Sequence, residues 1–163
     1  MVLADAGNLV LRREPTDLGA LVHDAVESFR TQAEAAGLAL NAALSDNLPT
    51  LELDPVRIRS AIGNLLSNAI RHTPRLGSVT VAVIAEADGL VLTVRDTGEG
   101  IPPELLPHIF ERFVKGSTST GSGLGLAIAH DIVTAHGGTI QIESTLSSGT
   151  TVKVTLPGAR PTI

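Results

Sequence analysis

A two-layer α/β sandwich, a mixed sheet of about five strands covered on one face by three helices, is the fold class the sequence predicts. Three observations lead there. Three segments carry apolar residues at helical spacing, beginning at Leu18, Ile58 and Leu124. Between them lie short β-rich segments whose apolar and polar residues tend to alternate, as in a sheet with one covered and one open face. Two of the connections, Ala87-Asp88-Gly89 and Ser147-Ser148-Gly149, have hairpin chemistry. With 163 residues and 43% hydrophobic content, the chain suits one domain with one core.

The elements follow in order. Asp17 is a good N-cap, and Leu18, Leu21, Val22, Ala25, Val26 and Phe29 form a stripe that fades near Gly37. Leu38 to Leu44 and Thr50 to Leu53 read as strands parted by the turn residues Ser45-Asp46-Asn47 and Pro49. Asp54-Pro55 then supplies a cap followed by proline at the first helical position, and Ile58, Ala61, Ile62, Leu65, Leu66 and Ala69 make the buried face. Strands at 79–84 and 90–95 flank the first hairpin turn, and the second of them runs directly into Asp96. Residues 114–122 are glycine- and hydroxyl-rich and read as a lid. A helix from Leu124 ends at His136-Gly137-Gly138, where a cation would be favoured, and strands at 139–144 and 150–156 close the chain.

Composition removes several classes of function. The net charge of −5 disfavours binding to nucleic acid or anionic lipid, whose phosphates require a basic face. No apolar run approaches the roughly 18–20 residues of a membrane helix, so direct membrane insertion is not expected. Cysteine is absent, which excludes disulfides and thiolate metal sites and fits a cytoplasmic location, with recruitment to a membrane-bound partner.

The chemistry concentrates in four blocks: Asn-Leu-Leu-Ser-Asn-Ala at 64–69, Asp-Thr-Gly-Glu-Gly-Ile at 96–101, Phe-Glu-Arg-Phe at 110–113 and Gly-Ser-Gly-Leu-Gly-Leu at 121–126. Asn68 offers a neutral hard oxygen to Mg²⁺, which keeps waters and phosphates as its other ligands. Asp96 ends a strand, and Gly98 and Gly100 after it let the backbone approach a flat ligand. Its carboxylate can accept from the exocyclic amine of adenine, whereas guanine would present a carbonyl oxygen and leave the charge unpaired. Gly121, Gly123 and Gly125 precede and open a helix, so free N–H groups can face phosphate, with Lys115 and Arg112 adding charge. The P-loop pattern and the dinucleotide-binding G-x-G-x-x-G context are both missing.

These blocks resemble the N, G1, F and G2 boxes of the GHKL superfamily, specifically the ATP-binding catalytic domain of sensor histidine kinases. The resemblance covers roughly residues 9–157, with 1–8 as the end of a dimerisation helix and linker and 158–163 as a tail. It implies a Bergerat fold that binds ATP and Mg²⁺. The implied binding set is Asn68, Arg71, His72, Asp96, Gly98, Gly100, Ile101, Phe110, Phe113, Lys115, Gly121, Gly123, Leu124, Gly125 and Thr151. Asn64, Asn68 and Lys115 are its catalytic members and Asn68 its metal ligand; His72 and Thr151 are expected near the base, and Arg71 and Lys115 near the phosphates.

Position 64 separates branches of the superfamily. The ATPases and serine kinases carry a glutamate there that activates water or a hydroxyl; Asn64 cannot accept that proton. Slow hydrolysis and transfer to an imidazole, which needs little activation, are therefore implied. No histidine of the chain has the acceptor pattern of His, acid and nearby proline: His23-Asp24 is followed by Ala25-Val26-Glu27-Ser28. The resemblance therefore implies an acceptor histidine on a separate dimerisation domain or protein, as in a split kinase or an excised domain, and indirectly a response regulator. Two rivals are a degenerate nucleotide-binding regulatory module and a stand-alone ATPase. The four complete boxes oppose the first and Asn64 the second.

Overall fold

The structure is a computed structural model that describes residues 10–110 and 124–158. Its elements are β1 (Glu14–Thr16), α1 (Leu18–Ala35), β2 (Ala39–Leu44), β3 (Leu51–Leu53), α2 (Pro55–His72), β4 (Ser78–Glu86), β5 (Gly89–Asp96), a 3₁₀ turn (Leu106–His108), α3 (Leu124–Ala135), β6 (Thr139–Thr145) and β7 (Gly149–Pro157). Five strands form the main sheet in the order β2-β4-β5-β7-β6, with β2 parallel to β4 and the other neighbours antiparallel. Thr50 to Leu53, read as a strand from sequence, is not part of that sheet: β3 pairs with β1 in a separate two-stranded ladder.

The period of two decides which residues meet the helices. Val81, Val94, Val152 and Ile142 stand in one cross-strand row, and Val83, Leu92, Val154 and Ile140 in the next. All belong to the core or pack against it, together with the stripes of α1, α2 and α3. The intervening row of Thr93, Lys153 and Gln141 lies on the other face and is polar, as is the row of Arg95, Thr151 and Glu143 that follows Val94. One face is thus apolar and covered, the other hydrophilic. At the end of the sheet the covered face changes character, because the next row is Val79, Asp96, Thr150 and Ser144.

Helix ends are fixed by local chemistry. The Asp17 carboxylate accepts from the Ala20 N–H at 3.1 Å and caps α1. Asp54 caps α2 in the same way: Oδ1 accepts from the Arg57 N–H at 3.1 Å, with Pro55 following. Its other oxygen accepts the backbone N–H of Arg12 at 2.9 Å, tying the incoming chain to the start of α2. At the far end of α3, Gly137 takes φ +80, the left-handed conformation expected just past a helix C-terminus.

His136 corrects the sequence expectation of a cation at that terminus. Its side chain is 2% exposed. Nδ1 lies 2.8 Å from the Ile132 carbonyl, and Nε2 accepts the Asp54 N–H at 3.0 Å, so the ring carries its proton on Nδ1 and is neutral. Burial holds its pKa below the ordinary 6.5; the Ile132 carbonyl pulls upward, Arg13 downward and Asp54 upward. Protonation would place an N–H against the Asp54 N–H. Helix-dipole attraction at the C-terminus is the smaller effect beside this desolvation.

A group whose folded pKa is depressed contributes its stability above its unfolded pKa, near 6.5 here, and loses it as pH falls through the folded value. Equilibrium unfolding should therefore show stability declining between about pH 7 and pH 5. His136→Gln should cost roughly 1–3 kcal/mol at pH 7.5 and flatten that decline. An equal slope in the variant would assign the acid sensitivity to other groups.

Candidate functional site

The end of α2, the loop after β5 and the β6–β7 turn enclose a cleft of about 510 Å³ lined by Arg71, His72, Thr73, Pro74, Thr97, Gly98, Glu99 and Ser147. The walls are fixed by backbone. Thr97 N–H donates to the Ser78 carbonyl at 3.1 Å, and its hydroxyl accepts from the Ser78 N–H at 3.0 Å. The Ser147 N–H donates to the Glu99 carbonyl at 2.8 Å, joining the glycine loop to the hairpin turn. On the helix side, Thr73 Oγ1 donates to the Ala69 carbonyl at 2.7 Å.

Asp96 lies beside this cleft, behind Gly98, and is 7% exposed. Its Oδ1 accepts two backbone N–H groups, from Gly98 at 2.8 Å and Thr150 at 3.2 Å. Oδ2 has no hydrogen-bond partner among the described residues. The carboxylate is thus oriented through one oxygen. Burial raises its pKa above the ordinary value, while the Gly98 and Thr150 N–H groups and His72 pull the other way. His72 is itself held below its ordinary pKa by burial and by Arg71, against Glu99 and Asp96, and so presents a neutral ring to the cleft.

Gly98 is required for packing as well as for approach. A Cβ there would come within 2.4 Å of the His72 carbonyl oxygen. Gly100 adopts φ +80, and a Cβ would meet the Thr145 carbonyl oxygen at 2.4 Å. The Ile101 N–H is held by Ser144 Oγ at 2.7 Å. The loop therefore rests on α2 on one side and on the β6–β7 hairpin on the other.

Asn64 and Asn68 lie one turn apart on α2, both half-buried. Asn68 Oδ1 accepts from Arg71 Nη2 at 3.3 Å. Phe110 packs against the core and stacks on the His130 ring, with centroids 4.9 Å apart. Leu124 and Gly125 open α3. Phe113, Lys115, Gly121 and Gly123, Arg112, the lid at 114–122 and the helix end assigned to Met1–Gly7 lie outside the described residues.

Thr151 is misplaced by the sequence expectation. It stands opposite Arg95 on the open face, whereas Thr150 is the residue opposite Asp96. The signal was present: placing Val152, Val154 and Leu156 inside forces Thr150 inside and Thr151 outside. Thr97, Glu99, Ser144 and Ser147 were missed because their contacts are long-range and leave no periodic trace: Thr97 bonds Ser78 across 19 residues, Ser144 bonds Ile101 across 43, and Ser147 bonds Glu99 from the same hairpin.

A family model described as "Histidine kinase-, DNA gyrase B-, and HSP90-like ATPase" matches residues 53–160. The chain belongs to this family. It is an ATP-binding GHKL domain related to those of sensor histidine kinases. The non-motile and phage-resistance protein of Caulobacter vibrioides is 40% identical across 94% of this chain. The circadian input-output histidine kinase CikA of Synechococcus elongatus is 36% identical across 94%. This GHKL chain spans only 19% and 21% of those two proteins. Among solved structures, full-length ShkA in complex with AMPPNP superposes with a TM-score of 0.85 at 30% identity, covering 97% of this chain and 34% of that one. A mycobacterial sensor histidine kinase, MprB, gives 0.79 at 30% identity, covering 93% and 100%.

The GHKL loop should not tolerate a methyl group at position 98. Gly98→Ala should weaken nucleotide binding at least tenfold in a calorimetric titration while costing about 1–3 kcal/mol of stability, since backbone is displaced. Unchanged affinity would show that the loop does not hold the ligand.

Proposed function

We propose that this domain binds Mg²⁺-ATP and donates the γ-phosphoryl group to a histidine on a dimerisation and phosphoacceptor domain, within a two-component pathway that ends at a response regulator. The observation that carries the reading is the Asp96 carboxylate beside the cleft, with Oδ1 accepting two backbone N–H groups and Oδ2 without a hydrogen-bond partner among the described residues. An ionised, oriented acceptor matches the amino group of adenine and opposes the carbonyl of guanine. His72 supplies a neutral ring for the base, and Arg71 supplies positive charge on the same wall. The relatives named as histidine kinases support the pathway assignment.

The donor set fits magnesium only with nucleotide present. No group of three His, Cys, Asp or Glu able to hold a metal exists among the described residues, and Asn68 provides one neutral oxygen. A single amide cannot hold Mg²⁺ against its hydration shell, but it can complete a shell otherwise made of phosphate oxygens and water. Asn68 would hold the ion in place of its 3.3 Å contact with Arg71, leaving the guanidinium for phosphate. The ion would neutralise charge on the transferring group.

At position 64, where a general base would activate water, the amide of Asn64 accepts no proton. The attacking atom is an imidazole nitrogen of the partner; the new N–P bond forms as the bond to the ADP oxygen breaks. The domain's share is positioning and charge neutralisation. A nucleotide-dependent role of this kind belongs on the cytoplasmic side, where ATP is available; no helix among the described residues is long and apolar enough to cross a membrane.

Titration with a nonhydrolysable ATP analogue and Mg²⁺, beside the GTP analogue, should show saturable binding selective for adenine. Asp96→Asn should weaken ATP binding about tenfold to a hundredfold, the size of a hydrogen bond to a charged acceptor. Because burial raises the Asp96 pKa, the loss of ATP affinity on protonation of this carboxylate should set in at a higher pH than for an ordinary Asp, and Asp96→Asn should remove that component of the pH dependence. Mixing the chain with ATP and a candidate acceptor domain should yield an acid-labile, base-stable phosphoprotein, and Asn68→Asp should lower its rate of formation. Steady ATP hydrolysis by the chain alone would contradict the proposed role of Asn64.

A further inference from the structure

Residues 102–110 carry the chain from the glycine loop to α3, and their backbone hydrogen bonds among the described residues are local. The Leu105 N–H donates to the Pro102 carbonyl at 2.9 Å, the Leu106 N–H to Pro103 at 3.3 Å and the Ile109 N–H to Leu106 at 3.3 Å. The segment begins where Ser144 Oγ holds the Ile101 N–H at 2.7 Å. Its far end is held by side chains. Ile109 and Phe110 pack against the core, and the Phe110 ring stacks on His130, with centroids 4.9 Å apart and planes inclined by 28°.

His130 belongs to none of the four sequence blocks. On α3 it stands one turn after Leu126 and one turn before Val133, both buried, so it borders the covered stripe of the helix. Its side chain is 40% exposed, and Nδ1 lies 3.7 Å from Asp131 Oδ1, too far for a hydrogen bond. What the ring contributes is a flat face for Phe110, a geometry in which aromatic pairs stabilise beyond their buried area. Base and phosphate contacts fall on opposite sides of this anchor in the chain. Asp96 on β5 and His72 on α2 precede the segment. Lys115 and the glycines at 121, 123 and 125, which the sequence assigns to phosphate, all follow Phe110.

We propose that His130 is a positioning residue for the phosphate end of the nucleotide: by stacking on Phe110 it fixes where the chain leaves the base side, against the same helix whose first turn holds Gly125. The anchor lies about 9 Å from the start of α3, taking the rise of 1.5 Å per residue from Leu124 to His130. Without the ring, the end of the 102–110 segment is held by core packing alone and takes more than one position. A phosphate chain that requires one of them then binds more weakly, in proportion to how seldom that position is populated. The base contacts, fixed by the sheet and by α2, are unaffected. The inference rests on the reading of the domain as ATP-binding, and the test separates the two.

The wild-type chain, His130→Ala, His130→Gln and His130→Phe are titrated with Mg²⁺-ATP and, separately, with adenosine. His130→Ala should weaken ATP binding about threefold to tenfold, the range of one aromatic pair, and leave adenosine affinity unchanged. His130→Gln, which keeps a polar side chain and loses the ring, should match it. His130→Phe restores a flat ring and should restore ATP affinity. The ring-current shifts of the Phe110 proton resonances should vanish in the first two variants and return in the third. A residue that served stability alone would lower the unfolding temperature and leave the ratio of ATP to adenosine affinity intact. An unchanged ratio in His130→Ala and His130→Gln, or no recovery in His130→Phe, overturns the proposal and leaves the ATP reading standing. A wild-type chain that binds no ATP overturns both.

Discussion

The antiparallel pairing of β5 with β7 and of β7 with β6 is the constraint on which the rest of the structure depends. It sets two aliphatic rows beneath the helices, from Ile140 and Ile142 across to Leu92 and Val94, and the same register brings Ser144, Thr150 and Asp96 into the row that follows. Core and site are therefore consecutive rungs of one ladder. A slip of one residue in β7 would send Val152 and Val154 to the open face and replace Thr150 by Thr151 beside Asp96. The hydrophobic cost of such a slip protects the register of the polar rung, so the alignment at the site is maintained by burial several residues away.

That coupling bears on how a buried carboxylate is held in place. Taking Asp96 out of water favours its neutral form, and two backbone N–H groups oppose this by solvating one oxygen. Backbone donors held in a sheet and a short loop do not reorganise when a ligand arrives, which is the condition for a preorganised acceptor. The glycines nearby serve the same end by allowing the loop to lie directly on the His72 and Thr145 carbonyls.

Much of this was legible in the residues. The three helices, the hairpins and the identities of Asn68, Asp96, Gly98 and Gly100 follow from periodicity, caps and short blocks, because those signals are local. The strand at Leu51–Leu53 was visible as a strand, but its partner was not: β1 lies about 35 residues earlier, and pairing is a long-range choice. His136 illustrates a different loss. Its place at a helix terminus suggested a charge, and only its burial against the Asp54 N–H shows that desolvation prevails over the dipole. Thr150 and Thr151 are adjacent and identical, so composition could not choose between them, although the alternation of β7 does.

The same economy appears where the chain enters the domain. Asp54 holds residue 12 through the backbone N–H and makes no demand on the Arg12 side chain. The path of the incoming segment is therefore anchored at a point that most substitutions cannot touch. Proline alone among the residue types has no N–H to offer, so position 12 is free in side-chain chemistry and closed to that one imino acid.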